Sequence, residues 1–175
     1  MVQALFVSSI AIGEILIRLG AAILFGAIIG IDREWRNKPA GIRTHMMVAL
    51  AAATFTVITL ELFEAVKSVG EGKSATDPLR LVEAITAGVA FLGAGAIIQS
   101  RGNVEGITTG SGIWLAGAVG YSAGAGYYVL GAIATVLALV ILTAFGWIVG
   151  KVKPNGDGNA PTDKEKKGEG REPAL

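Results

Sequence analysis

Apolar residues fall into five runs along the chain, separated by short polar segments. The runs cover residues 10–31, 44–63, 81–98, 108–125 and 127–149. Each is close to the roughly 20 apolar residues that a helix needs to cross a bilayer. The pattern therefore predicts an all-α fold, a polytopic transmembrane helix bundle with about five spans.

The last part of the chain has a different composition. Residues 151–175 contain almost no apolar side chains and are rich in Gly, Pro, Lys and Glu. Such a segment cannot bury enough apolar surface to offset the entropy lost on ordering. We therefore expect two regions, a transmembrane domain over residues 1–150 and a disordered polar cytoplasmic tail over 151–175, with no second globular domain.

Overall composition supports a membrane protein. The chain is 52% hydrophobic and 17% charged, whereas soluble domains carry about 25% charged residues. Its 25 glycines suit close packing of membrane helices. Cysteine is absent and the net charge is +1, which argues against a disulfide framework and a nucleic-acid partner.

Basic residues predict the orientation, because Lys and Arg concentrate in cytoplasmic loops. With five spans, one side of the membrane receives Arg33, Arg36, Lys38, Arg43, Arg101, Lys151 and Lys153. The bases on the other side are offset by nearby acids. We therefore expect a multi-pass protein of the bacterial inner membrane, with its N-terminus outside and its C-terminus inside.

The segment that joins the first two runs is dense in charge. Pro39 and Gly41 interrupt it, and Trp35 suits an anchor at the level of the headgroups. Its bases suffice as a topology signal, but such a signal does not need the acids. Two interpretations stay open, a simple topology signal or a functional cytoplasmic loop built from Asp32, Arg33, Glu34, Arg36, Gly41, Arg43 and Thr44.

Small residues within the runs predict close helix packing. Gly26 and Gly30 have GxxxG spacing. A second group, Gly88, Gly93 and Gly95, predicts either tight packing or a locally bent backbone that lines a cavity. The GxxxG face packs either within the chain, which we favour, or against a second copy in a homo-oligomer. Glu14 and Arg18 share a helix face and can pair, either near the headgroups or lining a polar path.

Other polar residues are less informative. Thr108, Thr109 and Ser111 either cap the fourth helix, which we favour, or hydrogen-bond across helices. We expect the lone His45, at the mouth of the second helix, to be a hydrogen-bonded structural residue. Glu61, Asp77 and Glu83 fall near one mouth of the bundle, where they could attract cations. No catalytic constellation or resident cofactor is indicated, so we do not expect an enzyme.

Three blocks of sequence together resemble the MgtC/SapB family of bacterial inner-membrane proteins. They read GAIIGIDREWRNKPAGIRTHMMVAL, DPLRLVEAITAGVAFLGAGAII and NVEGITTGSGIW, in the same order and spacing. Asp32 stands where the family usually has Glu. The soluble C-terminal domain of some members is expected to be missing, with the polar tail in its place.

The resemblance implies a role in magnesium homeostasis and adaptation to low magnesium. It points to regulation of other membrane proteins, with ATP synthase among the implied partners. The alternative is a transporter of magnesium or another cation, in which case Mg²⁺ would be the ligand or substrate. Partners would otherwise be the lipid bilayer and further copies of the chain.

The predicted topology can be tested with reporter fusions. We expect fusions at Asn37, Gly102 and Asn159 to report the cytoplasm, because the basic segments lie on that side. Fusions at Gly72 and Ala125 should report the outside. A cytoplasmic signal at Gly72 would contradict the five-span topology.

Overall fold

The structure, a computed structural model, describes residues 9–68, 78–100 and 103–145. Five α-helices and a two-stranded hairpin make up this part of the chain. Their bounds are α1 Ile12–Trp35, α2 Ile42–Ser68, α3 Pro78–Gly95, β1 Ile98–Ser100, β2 Asn103–Glu105, α4 Ile107–Gly124 and α5 Tyr128–Val140, and a π-helical turn, Ile141–Phe145, continues α5. The predicted all-α architecture is confirmed except for the hairpin.

Two of the five helices are long and apolar enough to cross a membrane. Their apolar stretches are Ile12–Trp35 and Ile42–Glu64, and 22% and 33% of the residues in an apolar 18-residue part of each are buried. Core helices of soluble proteins would be mostly covered. At 18 residues each, α3 and α4 span about 27 Å, slightly less than the ~30 Å hydrocarbon core. The described chain thus contains five helices, and five spans are not confirmed.

Helix α4 occupies the centre of the bundle and contacts all four other helices. Its glycines allow backbones to approach closely. A Cβ at Gly120 would overlap the Ala49 backbone, and one at Gly124 would lie 2.7 Å from the Cα of Ala53. On another face, a Cβ at Gly117 would lie 2.8 Å from Val89. Glycine at these positions allows α2 and α3 to pack closely against α4.

The GxxxG face of α1 packs within the chain. A Cβ at Gly26 would stand 2.7 Å from the His45 carbonyl oxygen, and one at Gly30 would stand 2.5 Å from the Cα of Ile42. Both neighbours belong to α2. The preferred interpretation of this motif is therefore confirmed, and α2 occupies the face that a second copy would need.

Helix α3 is the most exposed of the helices. Among its described side chains only Val89 and Gly93 are buried. Gly93 meets Gly110 of α4, whose carbonyl oxygen would be 3.0 Å from an added Cβ. At Gly88 and Gly95 an added Cβ would meet no heavy atom within 4 Å. These two glycines therefore do not pack closely within the described chain, and Gly88 instead lines a groove between α3 and α2.

The hairpin between α3 and α4 was not predicted. Its antiparallel register pairs Ile98 with Glu105 and Ser100 with Asn103, and strands of three residues are too short to show a periodic pattern. Gly106 then begins α4 with a φ of 87°, a conformation that glycine adopts readily. A Cβ at Gly106 would overlap the Ala96 carbonyl oxygen.

The preferred role of the α4 hydroxyls, capping the helix, is wrong, and the alternative of hydrogen bonding across helices is confirmed for Thr109. No side chain caps this end of the helix, because Gly106 occupies the N-cap position. The hydroxyls lie inside the helix instead. Ser111 donates to the Ile107 carbonyl at 2.9 Å, and Thr109 contacts α1.

The predicted pair of Glu14 and Arg18 is confirmed and joins three helices. Arg18 Nε lies 2.9 Å from Glu14 Oε1. Arg18 also donates to the Gly124 carbonyl at 2.9 Å, and the Tyr128 hydroxyl donates to Glu14 at 2.8 Å. The pair therefore attaches α1 to the end of α4 and the start of α5.

Several predictions concern residues outside the described ranges. They include the acid at Asp77, the base at Arg101, the end of the fifth predicted span at 146–149 and the tail at 151–175.

Two glycine-to-alanine variants test the packing. We expect Gly120→Ala to destabilise the protein by about 1–3 kcal/mol, because the methyl overlaps the α2 backbone. Gly88→Ala should leave the melting temperature unchanged or raise it, since its methyl meets open space. Thermal unfolding in detergent, followed by circular dichroism, measures both. Equal losses in the two variants would contradict this packing.

Candidate functional site at the end of the first helix

The acid–base segment is helical where a loop was predicted. Helix α1 continues through Trp35, so Asp32, Arg33 and Glu34 lie on its last turn. The helix ends just before Asn37, which has a φ of 51°, and the link to α2 follows. The extra turn forms because its charged side chains find partners on α1 itself, on α2 and on α4.

Asp32 and Arg36 form one of these pairs. Arg36 Nε lies 2.9 Å from Asp32 Oδ1, at the i, i+4 spacing that places two side chains on one helix face. The Asp32 side chain is 11% exposed and that of Arg36 is 38% exposed. The pair therefore joins a nearly buried carboxylate to a partly exposed guanidinium at the surface of the bundle.

Glu34 caps the following helix. Its Oε2 accepts a hydrogen bond from the Ile42 amide at 3.0 Å. A carboxylate at the start of a helix accepts a hydrogen bond from a free amide and interacts favourably with the positive end of the helix dipole. Gly41 makes room for this contact, because a Cβ there would overlap Glu34 Oε2.

Arg33 and His45 are the most buried charged or ionisable side chains described, with 2% and 0% exposure. Arg33 Nη2 donates to the Thr109 hydroxyl on α4 at 3.3 Å. His45 Nδ1 lies 2.8 Å from the Gly41 carbonyl oxygen. These two residues bring α1 and α2 to the same region of α4.

The predicted site is therefore only partly assembled. Asp32, Arg33, Glu34, Arg36 and Gly41 take part in the contacts described above. Arg43 and Thr44 lie in the first turn of α2 and are exposed, so the structure assigns them no part in the buried contacts.

The predicted cation-attracting acids have different surroundings. Glu61 accepts hydrogen bonds from Ser9 N at 2.7 Å, Ser9 Oγ at 3.1 Å and Ile10 N at 2.8 Å, which holds the segment that precedes α1. Glu83 is exposed on α3. Within the described ranges, no three His, Asp or Glu side chains come together as metal ligands.

Comparison with known proteins identifies the family. The model of the MgtC family matches residues 19–151. This range includes the whole of the charged cluster formed by Asp32, Arg33, Glu34, Arg36 and Gly41. The chain belongs to the MgtC family. Together with the apolar helices, this membership assigns the chain to a membrane.

Similar curated proteins carry the names of this family. SapB of Bacillus subtilis is 37% identical over 144 residues, covering 81% of this chain and 61% of that protein. The putative magnesium transporter YhiD of Escherichia coli is 36% identical over 132 residues, covering 75% and 60%. MgtC of Brucella abortus is 38% identical over 123 residues, covering 70% and 48%.

This MgtC-family chain spans about half to three fifths of the length of those relatives. No solved structure matches it.

Sequence reasoning did not place Thr109, His45 and Gly112 beside the charged end of α1. The prediction of His45 as a hydrogen-bonded structural residue is confirmed, whereas capping was preferred for Thr109 and no role was given to Gly112. In the MgtC-family chain, His45 Nε2 faces Gly112, where an added Cβ would stand 3.0 Å away. The glycine pair Gly110 and Gly112 was the available signal, because small residues one turn inside α4 leave space for side chains from other helices.

A double-mutant cycle tests the cap on α2. We expect Glu34→Ala to lower stability by about 1 kcal/mol, the usual cost of losing an N-cap. Gly41→Ala should cost a similar amount, because its methyl displaces the same carboxylate. The double variant should then lose little more than Glu34→Ala alone. Thermal unfolding of the four proteins measures the cycle, and fully additive losses would show that Gly41 acts independently of Glu34.

Proposed function

We propose that this MgtC-family protein acts in magnesium homeostasis by binding and regulating other membrane proteins. Membrane complexes such as ATP synthase are the partners to test first. The alternative function is transport of Mg²⁺ or another cation through the chain. YhiD is named a putative magnesium transporter, which favours that alternative.

The chemistry of the charged cluster is the observation that carries the proposal. Mg²⁺ sites use carboxylates together with retained waters. Asp32 is the one buried carboxylate among the described residues, and one of its oxygens is already held by Arg36. Buried Arg33 adds a positive charge at the next position. Such surroundings disfavour a divalent cation, because like charges repel strongly in a weakly polar interior.

Helix α3 supports function through a partner. A groove of about 430 Å³ separates it from α2 and is lined mainly by apolar and small residues. Ala84 and Gly88 lie one turn apart on the α3 side of the groove, and an added Cβ at Gly88 meets open space. Small residues let helices approach closely in a bilayer. We therefore assign this face to a transmembrane helix of a regulated protein.

A matched pair of variants tests both functions. Gly88→Leu places a bulky side chain in the groove, and Gly20→Leu makes the same change on α1, where a Cβ also meets open space. In a strain that lacks its own MgtC-family protein, we expect the unaltered chain and Gly20→Leu to restore growth in low magnesium. Gly88→Leu should fail to do so at equal membrane abundance.

The same proteins in liposomes complete the experiment. With a magnesium-sensing dye inside, we expect no gradient-driven uptake beyond that of protein-free liposomes, and an ionophore shows that the dye responds. Uptake that Asp32→Asn abolishes would establish transport and overturn the regulatory proposal. Equal growth with Gly88→Leu and Gly20→Leu would mean that lipid alone covers the groove.

A further inference from the structure

Three buried polar atoms have no hydrogen-bond partner within the described part of the chain. They are Asp32 Oδ2, Arg33 Nε and His45 Nε2. Their residues are 9%, 2% and 0% exposed. Each unsatisfied buried group costs about 1–3 kcal/mol, and buried polar groups in folded proteins are nearly always paired. Three such atoms on the parts of α1 and α2 that contact α4 therefore call for partners outside the protein's own polar groups.

The contact with Gly41 determines the protonation of the His45 ring. A carbonyl oxygen only accepts hydrogen bonds, so Nδ1, 2.8 Å from the Gly41 oxygen, must carry a hydrogen. In the neutral ring Nε2 then has a bare lone pair. Nε2 lies close to Gly112 of α4, where an added Cβ would stand 3.0 Å from it. A side chain at position 112 would therefore crowd the Nε2 edge of the ring and any water bound there.

Arg33 reaches the same face of α4. Its contact residue, Thr109, precedes Gly112 by three positions, and this spacing makes them neighbours on one helix face. Because Arg33 donates to the Thr109 oxygen, the Thr109 hydroxyl hydrogen is free to donate elsewhere. Arg33 Nε is an unused donor. Asp32 Oδ2 is an unused acceptor, since Arg36 holds the other carboxylate oxygen.

We propose that this junction is a buried hydration site, in which one or more internal waters bridge Arg33 Nε, His45 Nε2 and Asp32 Oδ2. Water suits the set because it donates to the two acceptors and accepts from the donor. Buried waters typically make about three hydrogen bonds to groups that are otherwise unsatisfied. Arg33 disfavours a metal cation at this position, and Asp32 disfavours an anion.

The hydration site extends a polar connection into the bundle. It begins at Arg36, which is partly exposed, passes through Asp32 and the bridging water, and ends at His45 on α2. His45 Nε2 thereby becomes a proton acceptor in contact with water inside an otherwise apolar bundle.

The chain contains a single histidine, which makes nitrogen NMR a direct test. We expect the full-length protein, labelled with ¹⁵N-histidine in lipid nanodiscs, to show a protonated Nδ1 and an unprotonated Nε2. The Nε2 resonance should be shifted in the direction of an accepted hydrogen bond and should show a cross-peak to water protons. A protonated Nε2 with a bare Nδ1, or an Nε2 without a water cross-peak, would overturn the proposal.

A glycine pair on α4 localises the water. Gly112→Ala places a methyl beside Nε2, so the water cross-peak should be lost while Nδ1 stays protonated. Gly117→Ala is the matched control, because its methyl meets Val89 of α3 instead and should leave the cross-peak intact. Loss of the cross-peak in both variants, or in neither, would contradict this position. The measurement on the unaltered protein remains decisive if a variant fails to fold.

Discussion

Backbone contact between α4 and α2 is the constraint on which the other helices depend. At Gly120 and Gly124 the two backbones are too close for a Cβ. In a bilayer, where burial of apolar surface gives helices little reason to associate, such close packing is a main source of attraction. Helix α1 then packs on α2 through Gly26 and Gly30 and also contacts α4, and α3 and α5 are added at the periphery.

The charged end of α1 follows from the same packing. Arg33 is buried because α4 lies close enough for its Thr109 hydroxyl to receive the guanidinium. Glu34 reaches the start of α2 because Gly41 has no side chain to obstruct it. A segment that resembles a solvated loop in sequence is thus organised by three helices, and its acids and bases have separate structural roles.

Apolar runs were sufficient to predict five helices, with most ends within a few residues of those observed, and local spacing was sufficient for the Glu14–Arg18 pair. The hairpin could not be predicted in this way because its strands are too short to show a periodic pattern. The added turn of α1 could not be predicted in full because Thr109, the partner of Arg33, lies 76 residues away in sequence. Gly88 and Gly93 show the same limit. Both are glycines of one helix, but only Gly93 meets a neighbour, and its neighbour is Gly110 on α4. In the site, the local motif identified Asp32 to Gly41 but could not show that His45 and Thr109 join them.

The two hydrogen-bond partners of Arg18 are synthesised at very different times. Its carbonyl partner, Gly124, lies 106 residues later in the chain, so α1 enters the bilayer long before that partner is synthesised. An unpaired arginine inside a bilayer costs at least ~2.5 kcal/mol. Glu14, one turn away, supplies a partner from the start. Glu14 therefore neutralises Arg18 while α1 inserts, and the arginine's second hydrogen bond forms only after α4 has been synthesised and packed.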